Sequence, residues 1–80
     1  MTSLTLSEVL QTHWMSCLKT REWIREGRLD MADVGLRAMA LGGASLLTEA
    51  DPAMRCVGRH MGRAVGDLTQ FYLKMHEALQ

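Results

Sequence analysis

The strongest structural signal in this chain lies in residues 51–80, DPAMRCVGRHMGRAVGDLTQFYLKMHEALQ. Asp51 is a capping residue, and Pro52 follows at the first helical position, where a missing N–H is harmless. Apolar or small side chains then recur in alternating steps of four and three residues: Met54, Gly58, Met61, Val65, Leu68, Tyr72, Met75 and Leu79. This spacing predicts one long helix over 52–79 with a continuous packing seam.

Two further helices are predicted upstream of this segment. The first covers 5–27, with Thr5 or Ser7 as its cap and Gly27 as the glycine that ends it. Its apolar stripe comprises Leu6, Val9, Leu10, His13, Trp14, Cys17 and Ile24. The second covers 31–50 with Asp30 as its cap, and Gly42-Gly43 leaves open whether it kinks or breaks there.

The whole chain therefore reads as all-α, a small three-helix bundle with helices at about 5–27, 31–50 and 52–79. Proline occurs once, and no run alternates with the period of two that a half-buried strand requires. Eighty residues accommodate one domain, 1–80, whose stability is expected to be small because a short chain buries little surface.

Composition argues against several classes of protein. Nine basic and nine acidic residues give no net charge, unlike proteins that bind nucleic acid or membrane surfaces by bulk positive charge. The longest uncharged run, 38–48, is too short to cross a bilayer, and the N-terminus lacks the pattern of a signal peptide. Two cysteines are too few for a disulfide framework, so we expect a cytoplasmic protein with free thiols.

Excess apolar surface predicts a protein partner. Residues 29–51, which contain the second helix, carry one basic and four acidic groups. Apolar side chains nevertheless surround most of this helix, and the other two helices of a single bundle would leave part of them exposed. We expect a homodimer in which the second or the third helices pair, or a separate partner held by methionine-rich surface with Trp23 as an anchor. The predicted contact residues are Trp23, Met39, Met54, Met61, Val65, Leu68, Phe71, Tyr72 and Met75. The predicted function is that of a non-enzymatic adaptor or regulator, of the antagonist or chaperone type.

An arginine row on the third helix supports an alternative. Arg55, Arg59 and Arg63 follow one another at intervals of one turn, as in helices that contact successive phosphates. A plain solvated face, an acidic protein partner and a nucleic acid are the three interpretations, the first being favoured. Glycines at 58, 62 and 66 interrupt the same helix, and close helix packing within the fold or across a dimer is the favoured explanation for them.

A mirrored pair of potential metal ligands supports a second alternative. His13 and Cys17 lie four residues apart on the first helix, and Cys56 and His60 on the third, so two half-sites would complete a Cys₂His₂ tetrahedron. The favoured interpretation is that these are ordinary helix residues, with no metal and no cofactor. A metal or thiol sensor is the alternative, and no pattern typical of an enzyme active site is present.

Overall fold

The computed structural model describes residues 4–80 and consists of three α-helices. They are α1 (Leu6–Arg25), α2 (Leu29–Leu46) and α3 (Pro52–Ala78). The helices run up, down and up, and the bundle measures 44 × 18 × 16 Å. The described residues contain no strand, so the predicted all-α three-helix bundle is confirmed.

α1 begins and ends on the residues that the sequence singles out. Thr5 is the N-cap, and its hydroxyl accepts a hydrogen bond from the Glu8 backbone N–H at 3.2 Å. At the other end Gly27 adopts a φ of 75°, which only glycine tolerates readily. Backbone N–H groups of Gly27 and Arg28 donate to the carbonyls of Ile24 and Trp23, at 3.0 and 2.8 Å. This pair of bonds is a Schellman motif, and it turns the chain directly into α2.

α2 differs from its predicted form at both ends. Arg28, not Asp30, is the N-cap, and Asp30 lies in the first turn, because the turn at Gly27 starts the helix two residues early. The helix ends at Leu46 rather than at residue 50. It passes through Gly42-Gly43 without a break, since tertiary contact with α3 supports the backbone there.

Where α2 crosses α3, one position in each helix has no room for a side chain and is occupied by glycine. A Cβ added at Gly58 would lie 2.8 Å from the carbonyl oxygen of Gly43 and 3.0 Å from the Leu46 Cβ, and one at Gly43 would lie 3.1 Å from the Met61 Cβ. The two backbones therefore touch, as small residues permit. By contrast, a Cβ at Gly62 or Gly66 would meet nothing within 4 Å. The predicted close packing within the fold accounts for Gly58 and not for the other two.

The core lies where the three helices meet. Its buried side chains are Val9, Thr20, Ile24, Ala32, Leu36, Met39, Val57 and Met61. Met39 and Met61 were predicted to contact a partner, but both are covered by the bundle itself, and this part of the prediction is corrected. The other α3 residues predicted to contact a partner are half-buried: Met54, Val65, Leu68, Phe71, Tyr72 and Met75. Their contact with a partner stays a prediction.

Candidate protein-binding surface

The first candidate surface is an apolar row on α1. Leu10, Trp14 and Leu18 follow one another at intervals of four residues and are 46%, 65% and 42% exposed. We call these three residues the α1 ridge. The predicted apolar stripe of α1 groups Leu10 and Trp14 with Val9 and Ile24, but only Val9 and Ile24 are buried, because α2 and α3 cover only part of the wide apolar sector of α1. Large apolar side chains clustered in this way on a small protein are typical of contact surfaces.

Trp23, the predicted anchor, is held inside the molecule's own contact between α1 and α2. A Cβ added at Gly35 would come within 3.3 Å of the Trp23 ring carbon Cζ3, so the ring packs closely on the α2 backbone. The ammonium group of Lys19 lies 5.4 Å from the centre of one Trp23 ring, within the range of a cation–π contact. Trp23 is therefore half-buried and packed against α2, while Trp14 is exposed to solvent.

Two arginines continue the line of the α1 ridge. Arg21 and Arg25 lie seven residues, or two turns, beyond Trp14 and Leu18, so they project from the same side of α1. Arg25 also pairs with Glu22 at 3.3 Å on the exposed surface. The surface is thus apolar over its N-terminal half and basic over its C-terminal half.

The predicted arginine row on α3 is uneven. Arg55 is half-buried, and its Nη1 donates to the backbone carbonyls of Glu49 and Ala50 at 2.8 and 2.7 Å. It therefore helps to hold the turn between α2 and α3. Arg59 and Arg63 are exposed, so only two of the three side chains are presented for an anionic partner.

The predicted metal ligands do not assemble into a site. Within residues 4–80 no group of three or more histidine, cysteine or acidic side chains is placed to hold a metal ion. Cys17 Sγ lies 3.6 Å from His13 Nδ1, whereas Cys56 is exposed. The convergence of His13, Cys17, Cys56 and His60 on one metal is therefore not found.

The surroundings of Cys17 and His13 favour the uncharged form of both side chains. Burial raises the pKa of the Cys17 thiol above its ordinary value of 9.0. Burial, and then the nearby His60, lowers the pKa of His13 below 6.5. A reactive thiolate paired with a histidine requires the opposite shifts, so the pair lacks the character of an activated nucleophile.

His13 makes stability depend on pH. Because its pKa is lower in the folded chain than in the unfolded one, the unfolded state takes up a proton first as pH falls through 6.5. We expect the free energy of unfolding to decrease between about pH 7.5 and pH 5.5. Urea titrations across this range should show a smaller decrease for His13→Gln. Replacing the exposed His76 by Gln is the matched control, and equal slopes for the two variants would contradict the assignment.

A cleft opens at one end of the bundle, between the N-terminal half of α1 and the corner formed by α2 and α3. Its volume is about 630 Å³. The apolar part of the lining comprises Leu4, Val9, Gly42, Leu46, Met54 and Met61, and the polar part comprises Thr12, His13, Ser16, Ser45, Glu49 and Asp51. Sequence periodicity gave no sign of this cleft, because it arises from the angle between the helices.

Comparisons with known proteins identify no relative. The sequence matches no protein-family model, and it shows no significant similarity to any curated protein or solved structure. None of the three described helices is long and apolar enough to cross a membrane. Any function must therefore be argued from the surface of the bundle itself.

Proposed function

We propose that this protein is a non-enzymatic adaptor or regulator, of the antagonist or chaperone type, that binds a partner protein through the α1 ridge. The observation that supports this most is the 65% exposure of Trp14 between two further exposed leucines. Tryptophan is strongly enriched among the residues that contribute most to binding energy at protein interfaces. A cytoplasmic location, expected from two free cysteines, belongs to the same proposal.

The energetic reason is the apolar area that the ridge leaves in water. A fully buried tryptophan removes about 150–250 Å² from solvent, and Trp14 still exposes 65% of its surface, so covering it is worth about 2.5–4 kcal/mol at 25 cal/mol per Å² before the costs of association. The leucines on either side would exclude water around the ring. A helix is the natural occupant, because residues four apart on α1 present a straight row that matches the row on another helix.

The charges beside the ridge indicate the character of that partner. Arg21 and Arg25 lie at its C-terminal end, where an acidic group on the partner would be favoured. We therefore expect an amphipathic helix that is apolar along one face and acidic at one end. The charge contributes mainly to orientation and association rate.

A homodimer is a second form of the proposal, and a different surface supports it. Val34, Ala38 and Leu41 are exposed on α2, where Val34 and Ala38 border α1 and Leu41 is 73% exposed. Their spacing of four and three residues would let two copies of α2 pack side by side. Pairing of the second helices is one of the two arrangements expected from the sequence, the other being pairing of the third helices.

Trp14→Asp should abolish capture of the partner, with a loss of affinity of about 100-fold, since a charge would replace the central anchor. The measurement is capture from a cell extract, followed by titration of the partner it identifies. Leu41→Asp is the matched control, because it places the same charge at an exposed position of α2. Both sites are exposed, so both variants should melt like the parent chain.

The same two variants separate the forms of the proposal. Sedimentation should show loss of any dimer in Leu41→Asp if α2 pairs with α2. Retention of the partner by Trp14→Asp, together with its loss in Leu41→Asp, would overturn the assignment to the α1 ridge.

The nucleic-acid alternative is less well supported, since Arg55 is engaged with backbone carbonyls. If it were correct, Arg59→Ala would weaken binding to DNA or RNA at low salt, and binding would fall steeply as salt is added.

A further inference from the structure

The cleft at the end of the bundle owes its shape to the way α1 leans on α2. At the C-terminal half of α1, the backbone of Gly35 approaches Thr20 and Trp23 so closely that a side chain would clash. At the N-terminal half, residues of both α1 and α2 line the cleft. Met61 of α3, a buried residue, also lines the cleft. The volume of about 630 Å³ lies within the range of about 300–1,000 Å³ typical of small-molecule sites.

Charge distinguishes this cleft from a simple apolar gap. Glu49 and Asp51 line it at the corner between α2 and α3, and neither lysine nor arginine is among its described lining residues. Arg55, at the start of α3, has its Nη1 engaged with the backbone carbonyls of Glu49 and Ala50. Asp51 uses Oδ1 to cap α3, accepting from the Ala53 N–H at 2.9 Å. The Glu49 carboxylate makes no ion pair within the described residues and is the group available to a ligand.

We propose that this cleft binds a small organic cation with an apolar body. The apolar body would lie against Val9, Leu46 and Met61, and the positive group would lie beside the Glu49 carboxylate. Hydroxyl groups of Thr12, Ser16 and Ser45 line the same space and accept hydrogen bonds from an ammonium group. The site is separate from the α1 ridge, which projects from another side of α1.

Two probes of equal length and opposite charge test the ligand class. Octylammonium and octanoate are titrated separately into the full chain with isotope-labelled methionine methyl groups. Octylammonium should shift the Met54 and Met61 signals to saturation at one equivalent per chain. Octanoate should bind at least about tenfold more weakly, because it brings a like charge to two carboxylates. Equal affinities for the two probes would overturn the proposal.

Variants test the position of the site. Glu49→Gln should weaken octylammonium binding by about 5-fold, the effect of losing one partly exposed ion pair. Glu77→Gln, at the far end of α3, is the matched control and should bind like the parent. Ser45→Phe should fill the cleft and abolish binding while the chain remains folded, because residue 45 is exposed. Trp14→Asp should bind octylammonium normally. Unchanged affinity in both Glu49→Gln and Ser45→Phe would overturn the assignment.

Discussion

Gly58→Ala should destabilise the bundle by about 2–3 kcal/mol, although alanine favours helices over glycine by about 1 kcal/mol. The new methyl group would meet the Gly43 carbonyl oxygen at 2.8 Å and the Leu47 backbone nitrogen at 3.2 Å. Backbone atoms cannot move aside as the end of a flexible side chain can, so α2 and α3 must separate. In a chain of this size that loss corresponds to a decrease in Tm of about 10 °C or more.

Gly62→Ala and Gly66→Ala are matched controls, and we expect them to increase the stability of the bundle rather than decrease it. Both positions lie in the same helix, and a Cβ at either one meets nothing within 4 Å. Each substitution should therefore raise stability by about 0.5–1 kcal/mol through the helix preference alone. Thermal and urea unfolding of the three variants provide the measurement. The α2–α3 crossing would be contradicted by stabilisation in Gly58→Ala.

Ile24→Ala should cost about 3 kcal/mol, a large part of the total stability of a domain this small. The Ile24 side chain is 0% exposed, and removing three of its carbons leaves a cavity that the surrounding helices fill only in part. The variant should unfold at a markedly lower temperature or urea concentration than the parent chain.

Leu41→Ala is the control for Ile24→Ala. It also removes three carbons, but from a side chain that is 73% exposed, so its stability should stay within about 0.5 kcal/mol of the parent. Equal losses in the two variants would contradict the assignment of Ile24 to the core.

The helix ends were predictable where they depend on interactions between residues close together in the sequence. Asp51-Pro52 starts α3 where expected, Thr5 caps α1, and Gly27 ends α1 with a positive φ. The cap of α2 was mispredicted as Asp30 because the Schellman turn, rather than a side chain, positions its first residues. Backbone hydrogen bonds of that kind have no sequence signature beyond the glycine itself.

The candidate surface was predictable only in part. Periodicity shows that α1 has a wide apolar sector, but the fraction that two neighbouring helices cover depends on their crossing angles. Trp14, expected in the apolar stripe of α1, is therefore exposed, whereas Trp23, expected off that stripe, is half-buried. The seam of α3 misled in the same way, since Met61 serves the core of the single chain.

The central claim is that the α1 ridge, rather than the Trp23 region, contacts the partner. The chain contains two tryptophans, so its ¹⁵N-labelled form reports on each through one indole N–H signal, assigned with Trp23→Phe. When the partner recovered by capture is added, the Trp14 signal should shift or broaden while the Trp23 signal stays in place. A shift of Trp23 with Trp14 unchanged would contradict this account.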